Sequence, residues 1–226
     1  NVPIISTLNN YQDINWLGNT TNARYKGLSY VWMNQLTTEV IPKPDGYSKE
    51  RLEKIAQKYT NLSNEINRDR SNYLNDQTVI YILSESFSDP RKVEGVELTE
   101  NPIPNIENIM KTHTSGQMHS DGYGGGTANM EFQTLTSLPF YNISPTVSVL
   151  YTEVFPKIHD VPSISNTYSS KNKIAIHLAG GANYSRDIVY SRLNFSDFIT
   201  INTKGITVRK EGISPSDEST YNIVLD

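Results

Sequence analysis

The sequence predicts an α/β fold with a mostly parallel sheet flanked by helices, and three observations predict it. Val79-Ile-Tyr-Ile-Leu83 is a short continuous apolar run of the kind that forms a strand buried on both faces. Lys173-Ile-Ala-Ile-His177 reads as a second such strand, ending just before Gly180-Gly181. Between them lie a Pro-rich stretch, a Gly-rich turn and a helical pattern beginning near Thr127, so strand and helix alternate as a parallel sheet requires.

At 226 residues the chain is long enough to bury a real core. Hydrophobic residues make up 36% and charged residues 19%, a globular but polar balance. The net charge of -4, with no basic block, weighs against nucleic acid as a partner. No stretch approaches the roughly 20 apolar residues of a membrane-spanning helix. Nothing at Asn1 resembles a signal peptide, so any targeting segment is expected to lie outside this stretch. Cysteine is absent, which excludes a disulfide scaffold, a thiolate zinc site and a cysteine nucleophile.

In chain order, residues 1–47 are rich in Asn, Tyr and Gly and read as an irregular arm. From Ser48, a plausible N-cap, the pattern is helical: Leu52, Ile55, Ala56, Tyr59, Leu62 and Ile66 share a face, opposite Lys49, Glu53, Lys54 and Lys58. This predicts a surface helix packed along one apolar stripe. Residues 1–77 are thus expected to precede the core, and 78–226 to form it. Ser219–Leu225 reads as a further helix at its end.

Three places carry candidate chemistry. Glu85 directly follows the first apolar run, and ligands of open α/β sheets bind beyond the carboxyl ends of the strands. It is placed either to hold a metal or proton, or to cap the next turn. Gly124-Gly-Gly-Thr127 lets the backbone turn sharply and puts Thr127 at or near a helix N-terminus, followed by the apolar set Met130, Phe132, Leu135 and Leu138. Such a position stabilises an anion, and it equally suits an ordinary capping threonine. His177 ends the second strand and is followed by Tyr184 and Arg186; imidazole and guanidinium at one sheet edge suit a phosphate-bearing ligand, although either is commonly structural. His113, His119 and His159 have no ligand spacing between them and read as surface residues.

Ser84-Glu-Ser-Phe87, Gly124-Gly-Gly-Thr-Ala-Asn-Met-Glu-Phe132 with Leu135-Thr-Ser-Leu138, and His177 with Arg186 together resemble lipoteichoic acid synthases and their relatives. These are phosphoglycerol transferases of the alkaline phosphatase and sulfatase superfamily, and the resemblance runs from about residue 78 to the end. It implies an alkaline-phosphatase/sulfatase-like α/β fold, incomplete in this chain. It also implies transfer of glycerophosphate from phosphatidylglycerol to a growing polyglycerolphosphate chain, through a covalent glycerophosphoryl-threonine. Thr127 is then the nucleophile, Glu85 and Thr127 ligands of Mn2+ (with Mg2+ as the alternative), and His177, Tyr184 and Arg186 substrate-binding residues. The cysteine-derived formylglycine of most true sulfatases is excluded. The implied setting is the extracellular face of the membrane of a Gram-positive bacterium, with membrane attachment through segments outside this chain.

One departure is plain. The family's further metal ligands are an Asp-His pair, and no Asp-His dipeptide occurs here. A fragment is therefore expected, one that is itself inactive and binds manganese weakly. Alternatives are a sulfatase-like hydrolase or phosphodiesterase, a phosphoethanolamine transferase, and a non-catalytic cell-envelope protein that binds a polyanion.

Overall fold

The fold is seen in a computed structural model that describes residues 18–37, 39–71, 77–84, 87–118, 120, 126–144, 147–169 and 171–226, apart from the side chains of 18–20. Its organising unit is a strand–helix–strand crossover. β1 (Ile174–Ile176) and β2 (Asp197–Ile199) pair in parallel, with Ala175 opposite Phe198, as the sequence predicts for the second apolar run. His177 extends the ladder by donating its N–H to the Ile199 carbonyl at 3.0 Å, which fixes its backbone at the carboxyl end of β1. Between the strands runs a helix, Arg186–Arg192, with Val189 and Tyr190 buried.

Gly180-Gly181 makes the turn out of β1. A Cβ on Gly181 would meet Thr200 Cγ2 at 3.2 Å and Phe198 Cε1 at 3.4 Å, so close approach of the backbone to β2 favours glycine there.

The helix Thr127–Thr136 packs on this unit and carries much of the core. Ala128 and Phe132 join Val149, Leu150, Tyr151, Val154, Phe155, Val189 and Leu193 in one cluster. Phe132, Tyr151 and Phe155 meet edge to face at centroid separations of 6.3 Å. Asn129, also buried, acts as a surrogate peptide group: it donates to the Ser148 carbonyl and accepts from the Leu150 N–H, each at 2.9 Å. Glu153 caps the π-helical turn Leu150–Val154 by accepting from the Ser148 and Val149 N–H groups. The Thr127–Thr136 helix ends at Ser137 in the left-handed conformation (φ 58), the usual helix stop.

Two helices fall where the sequence suggested an irregular arm. They are α1 (Gly18–Lys26) and α2 (Leu28–Thr37), separated by Gly27 at φ 90. α1 is predominantly polar, whereas α2 is mostly apolar and buries Tyr30 and Val31. α3 (Lys49–Asn67) starts where expected, its Ser48 N-cap accepting from the Arg51 N–H. Its apolar stripe, however, is not packed: no residue of α3 is buried, and Leu52, Ile55, Tyr59, Leu62 and Ile66 are all exposed. The helical register was legible, but the covering surface was not.

The first apolar run is a second correction. Val79–Leu83 forms no strand among the described residues, and each of its side chains is exposed, Ile82 by 60%. A strand buried on both faces needs partners at its edges and layers above and below, and the described chain supplies neither. Its described contact is Tyr81 with Tyr168, whose hydrogen bond raises the Tyr81 pKa.

Further along, α4 (Pro104–Thr112) lies on the surface, its Glu107 bridged by Arg91 at 2.6 Å, with Asp89 on the same guanidinium at 2.7 Å. The core helix Thr127–Thr136 is α5, and the crossover helix Arg186–Arg192 is α6. A short antiparallel pair, β3 (Lys210–Glu211) and β4 (Ser214–Pro215), precedes α7 (Asp217–Leu225), the expected last helix, capped by Ser216.

Candidate functional site

Thr127 is the first residue of α5. Gly126, not Thr127, is the N-cap, so the capping alternative for the threonine does not hold. The helical ladder begins with the Asn129 N–H donating to the Gly126 carbonyl at 2.8 Å. Thr127 therefore stands at the positive end of the helix dipole, where negative charge is stabilised. Gly124 and Gly125 lie outside the described residues, as do His119 and Glu85. His113 and His159 are exposed, as expected.

One turn after Thr127 comes Glu131, on the same face of α5 because residues four apart stack along a helix. Sequence reading passed over it. Glu131 is buried, and it receives Arg186 side-on: Nε donates at 2.9 Å to Oε2, and Nη2 at 2.6 Å to Oε1. The Tyr190 hydroxyl donates to Oε2 at 3.0 Å. A carboxylate between Met130 and Phe132 in a buried helix was itself a signal, since a buried acid needs a partner. The partner lies far along the chain and could not be read locally.

Arg186 opens α6 and is 2% exposed, so it is not an open surface cation. Burial would lower its pKa, but the hydrogen bonds and charge of Glu131 outweigh this and leave it raised. Its guanidinium carbon lies 4.9 Å from the centre of the Tyr184 ring, a cation–π distance. Tyr184 (φ 58) and Ser185 (φ 56) are both left-handed without being glycine, a conformation costing about 1–2 kcal/mol per residue. Such strain clusters at ligand-binding turns. Burial, reinforced by the charge of Glu131, pushes the Tyr190 and Tyr151 hydroxyls up, so both stay protonated at neutral pH.

His177 is half-buried and feels the same pair. Burial lowers its pKa below the ordinary value, Arg186 lowers it further, and Glu131 opposes them. Its folded state therefore favours the neutral ring. That contribution to stability is present above about pH 6.5, the unfolded value, and is lost as pH falls through the lower folded value. In an NMR pH titration the His177 ring is expected to titrate below about 6.5. A midpoint at or above that value would contradict the described burial.

The structure thus brings Glu131, His177, Tyr184, Arg186 and Tyr190 together, and Glu131 lies one helical turn after Thr127. As a metal centre, the described part is insufficient. Among the described residues no three His, Cys, Asp or Glu side chains lie close enough to hold a metal ion. Of the two implied ligands only Thr127 is described, and one hydroxyl does not make a metal site. Among the described residues no helix is long and apolar enough to cross a membrane.

A family model described as Sulfatase matches residues 77–222. The chain belongs to the sulfatase family. Its fold is that of the sulfatase and alkaline phosphatase group, as the motif resemblance implied. This sulfatase-family chain is similar in structure to the Streptococcus pyogenes phosphoglycerol transferase GacH in complex with sn-glycerol-1-phosphate. The two are 51% identical with a TM-score of 0.77, over 82% of this chain and 50% of that one. It is also 29% identical, over 203 residues, to a protein of Rhizobium meliloti (strain 1021) whose name ties it to cyclic beta-1,2-glucan modification. That match takes in 88% of this chain and 29% of the Rhizobium protein, so the chain spans half or less of the relatives it matches.

Proposed function

We propose that this sulfatase-family chain is the first part of a catalytic domain that transfers glycerophosphate from phosphatidylglycerol to an acceptor hydroxyl. The observation that carries this reading is the 51% identity, across most of the chain, to a phosphoglycerol transferase solved with sn-glycerol-1-phosphate. The proposed working place is the extracellular face of the membrane, where a lipid donor is presented.

In this reading the Thr127 hydroxyl gives up its proton as its oxygen attacks the donor phosphorus, the P–O bond to diacylglycerol breaks, and the released oxygen takes up a proton. The glycerophosphoryl group is then bonded to Thr127, and an acceptor hydroxyl displaces the threonine oxygen while giving up its own proton, the threonine oxygen taking up a proton in turn. The dipole of α5 favours negative charge at the attacking oxygen. Arg186 binds the phosphoryl oxygens, His177 hydrogen-bonds the glycerophosphate as a neutral ring, and Tyr184 lines the pocket. Mn2+ or Mg2+ is the proposed cofactor, with Glu85 and Thr127 as oxygen donors from this chain, and when bound it supplies positive charge that neutralises the phosphoryl oxygens.

Two acceptors fit. Polyglycerolphosphate follows from the motif resemblance. A sugar hydroxyl is favoured by the Rhizobium relative, whose name concerns modification of a glucan. The full-length protein incubated with phosphatidylglycerol and Mn2+ is expected to release diacylglycerol and to carry a glycerophosphoryl group on the peptide containing Thr127. Mass spectrometry detects the adduct, and adding each acceptor class in turn identifies the one that discharges it. Release of diacylglycerol with no adduct on any peptide would overturn the covalent route.

A further inference from the structure

Arg186 and Glu131 are 55 positions apart, yet every part of their contact is specific. Glu131 occupies the side edge of the guanidinium, formed by Nε and Nη2, and uses both carboxylate oxygens to do so. Tyr190 fixes the carboxylate from a third direction. The remaining edge of the fork is left with the weakest contact in the set, Nη1 to the Asn183 carbonyl at 3.4 Å. That is the bond an incoming anion would replace at least cost, and a guanidinium can bind one carboxylate side-on and one phosphate end-on at once.

We propose that Glu131 is a positioning residue for glycerophosphate transfer: it holds Arg186 by its side edge, presents the end edge to the donor phosphoryl group, and sets the Arg186–Thr127 spacing through the single turn of α5 between Thr127 and Glu131. The proposal rests on the reading of Arg186 as a phosphate-binding residue. The helix that carries the nucleophile then also carries the anchor of the cation that receives the phosphate. Neither can shift relative to the other without breaking a buried ion pair, and misplacement by about 1 Å can cost about 100-fold in rate.

The test is a double-mutant cycle in the full-length protein, with kcat and KM for phosphatidylglycerol measured per folded molecule in the presence of Mn2+. Glu131→Gln keeps the side chain's shape but meets Nε with an amide. It is expected to lower kcat by about 10- to 100-fold, to raise KM less, and to cause no further loss when combined with Arg186→Lys. Glu131→Asp should fall between wild type and Gln. A wild-type kcat for Glu131→Gln beside an impaired Arg186→Lys would overturn the positioning role and leave the proposed function standing. Additive losses in the double variant would also overturn it, since Glu131 would then act without Arg186. A fully active Arg186→Lys would remove the reading on which the proposal rests. If Glu131→Gln does not fold, Tyr190→Phe removes one donor from the carboxylate and leaves the ion pair. It should lower kcat several-fold in the wild-type background and not in Arg186→Lys; equal effects in both would overturn the proposal.

Discussion

Thr127→Ala in the full-length protein is expected to lower glycerophosphate transfer by a factor of about 1,000 or more, the order seen when a nucleophile is removed. The fold should survive. Gly126 is the cap of α5, so the helix keeps its N-terminal geometry, and alanine is the better helix former at the first helical position. Thr127→Ser keeps a hydroxyl there and should retain part of the activity. Diacylglycerol release from phosphatidylglycerol, with circular dichroism to establish folding, measures both effects. A folded Ala variant that turns over at the wild-type rate would show that another group attacks phosphorus.

The second large effect concerns stability. Arg186→Ala leaves the Glu131 carboxylate in a buried site with Tyr190 as its remaining described hydrogen-bond donor. Breaking a buried pair by removing one partner costs about 3–5 kcal/mol, because a charge stays behind without its counterion. A urea titration should therefore show a much lower midpoint. Replacing both partners with apolar residues of similar size, as in Arg186→Met with Glu131→Leu, should recover most of that loss. Binding of sn-glycerol-1-phosphate, read by calorimetry, should not return with it. This pair of results separates the two roles of Arg186, since stability returns when the charge is removed and ligand binding does not. An Arg186→Ala variant as stable as the wild type would mean that the pair is not buried as described.

How much of this was legible in the sequence depended on the range of the interaction. Ser48 as a cap, the helix opening at Thr127, the strand ending at His177 and the helix near Ser219 were all readable, because each is set by neighbours within a turn or a ladder. The apolar pattern of Val79–Leu83 and of α3 stated a need for burial without naming what would cover it, and in the described chain nothing does. α1 was missed because Gly18–Lys26 carries no apolar stripe, and α2 because its apolar residues declare no partner until Tyr30 and Val31 are seen buried. Glu131 was missed for a related reason. Its meaning lies in Arg186, which only the folded chain places beside it.

Two of the described arginine ion pairs also differ in how ionic strength reaches them. Arg91, with 36% of its side chain exposed between Asp89 and Glu107, is bathed in counterions, and its attractions fade as the Debye length shrinks from about 10 Å at 0.1 M salt to about 3 Å at 1 M. Arg186 and Glu131, with side chains 2% and 10% exposed, are screened far less, so their attraction persists at high salt. Under the proposed function, a salt series consequently reads the long-range approach of an anionic headgroup separately from the integrity of the buried pair.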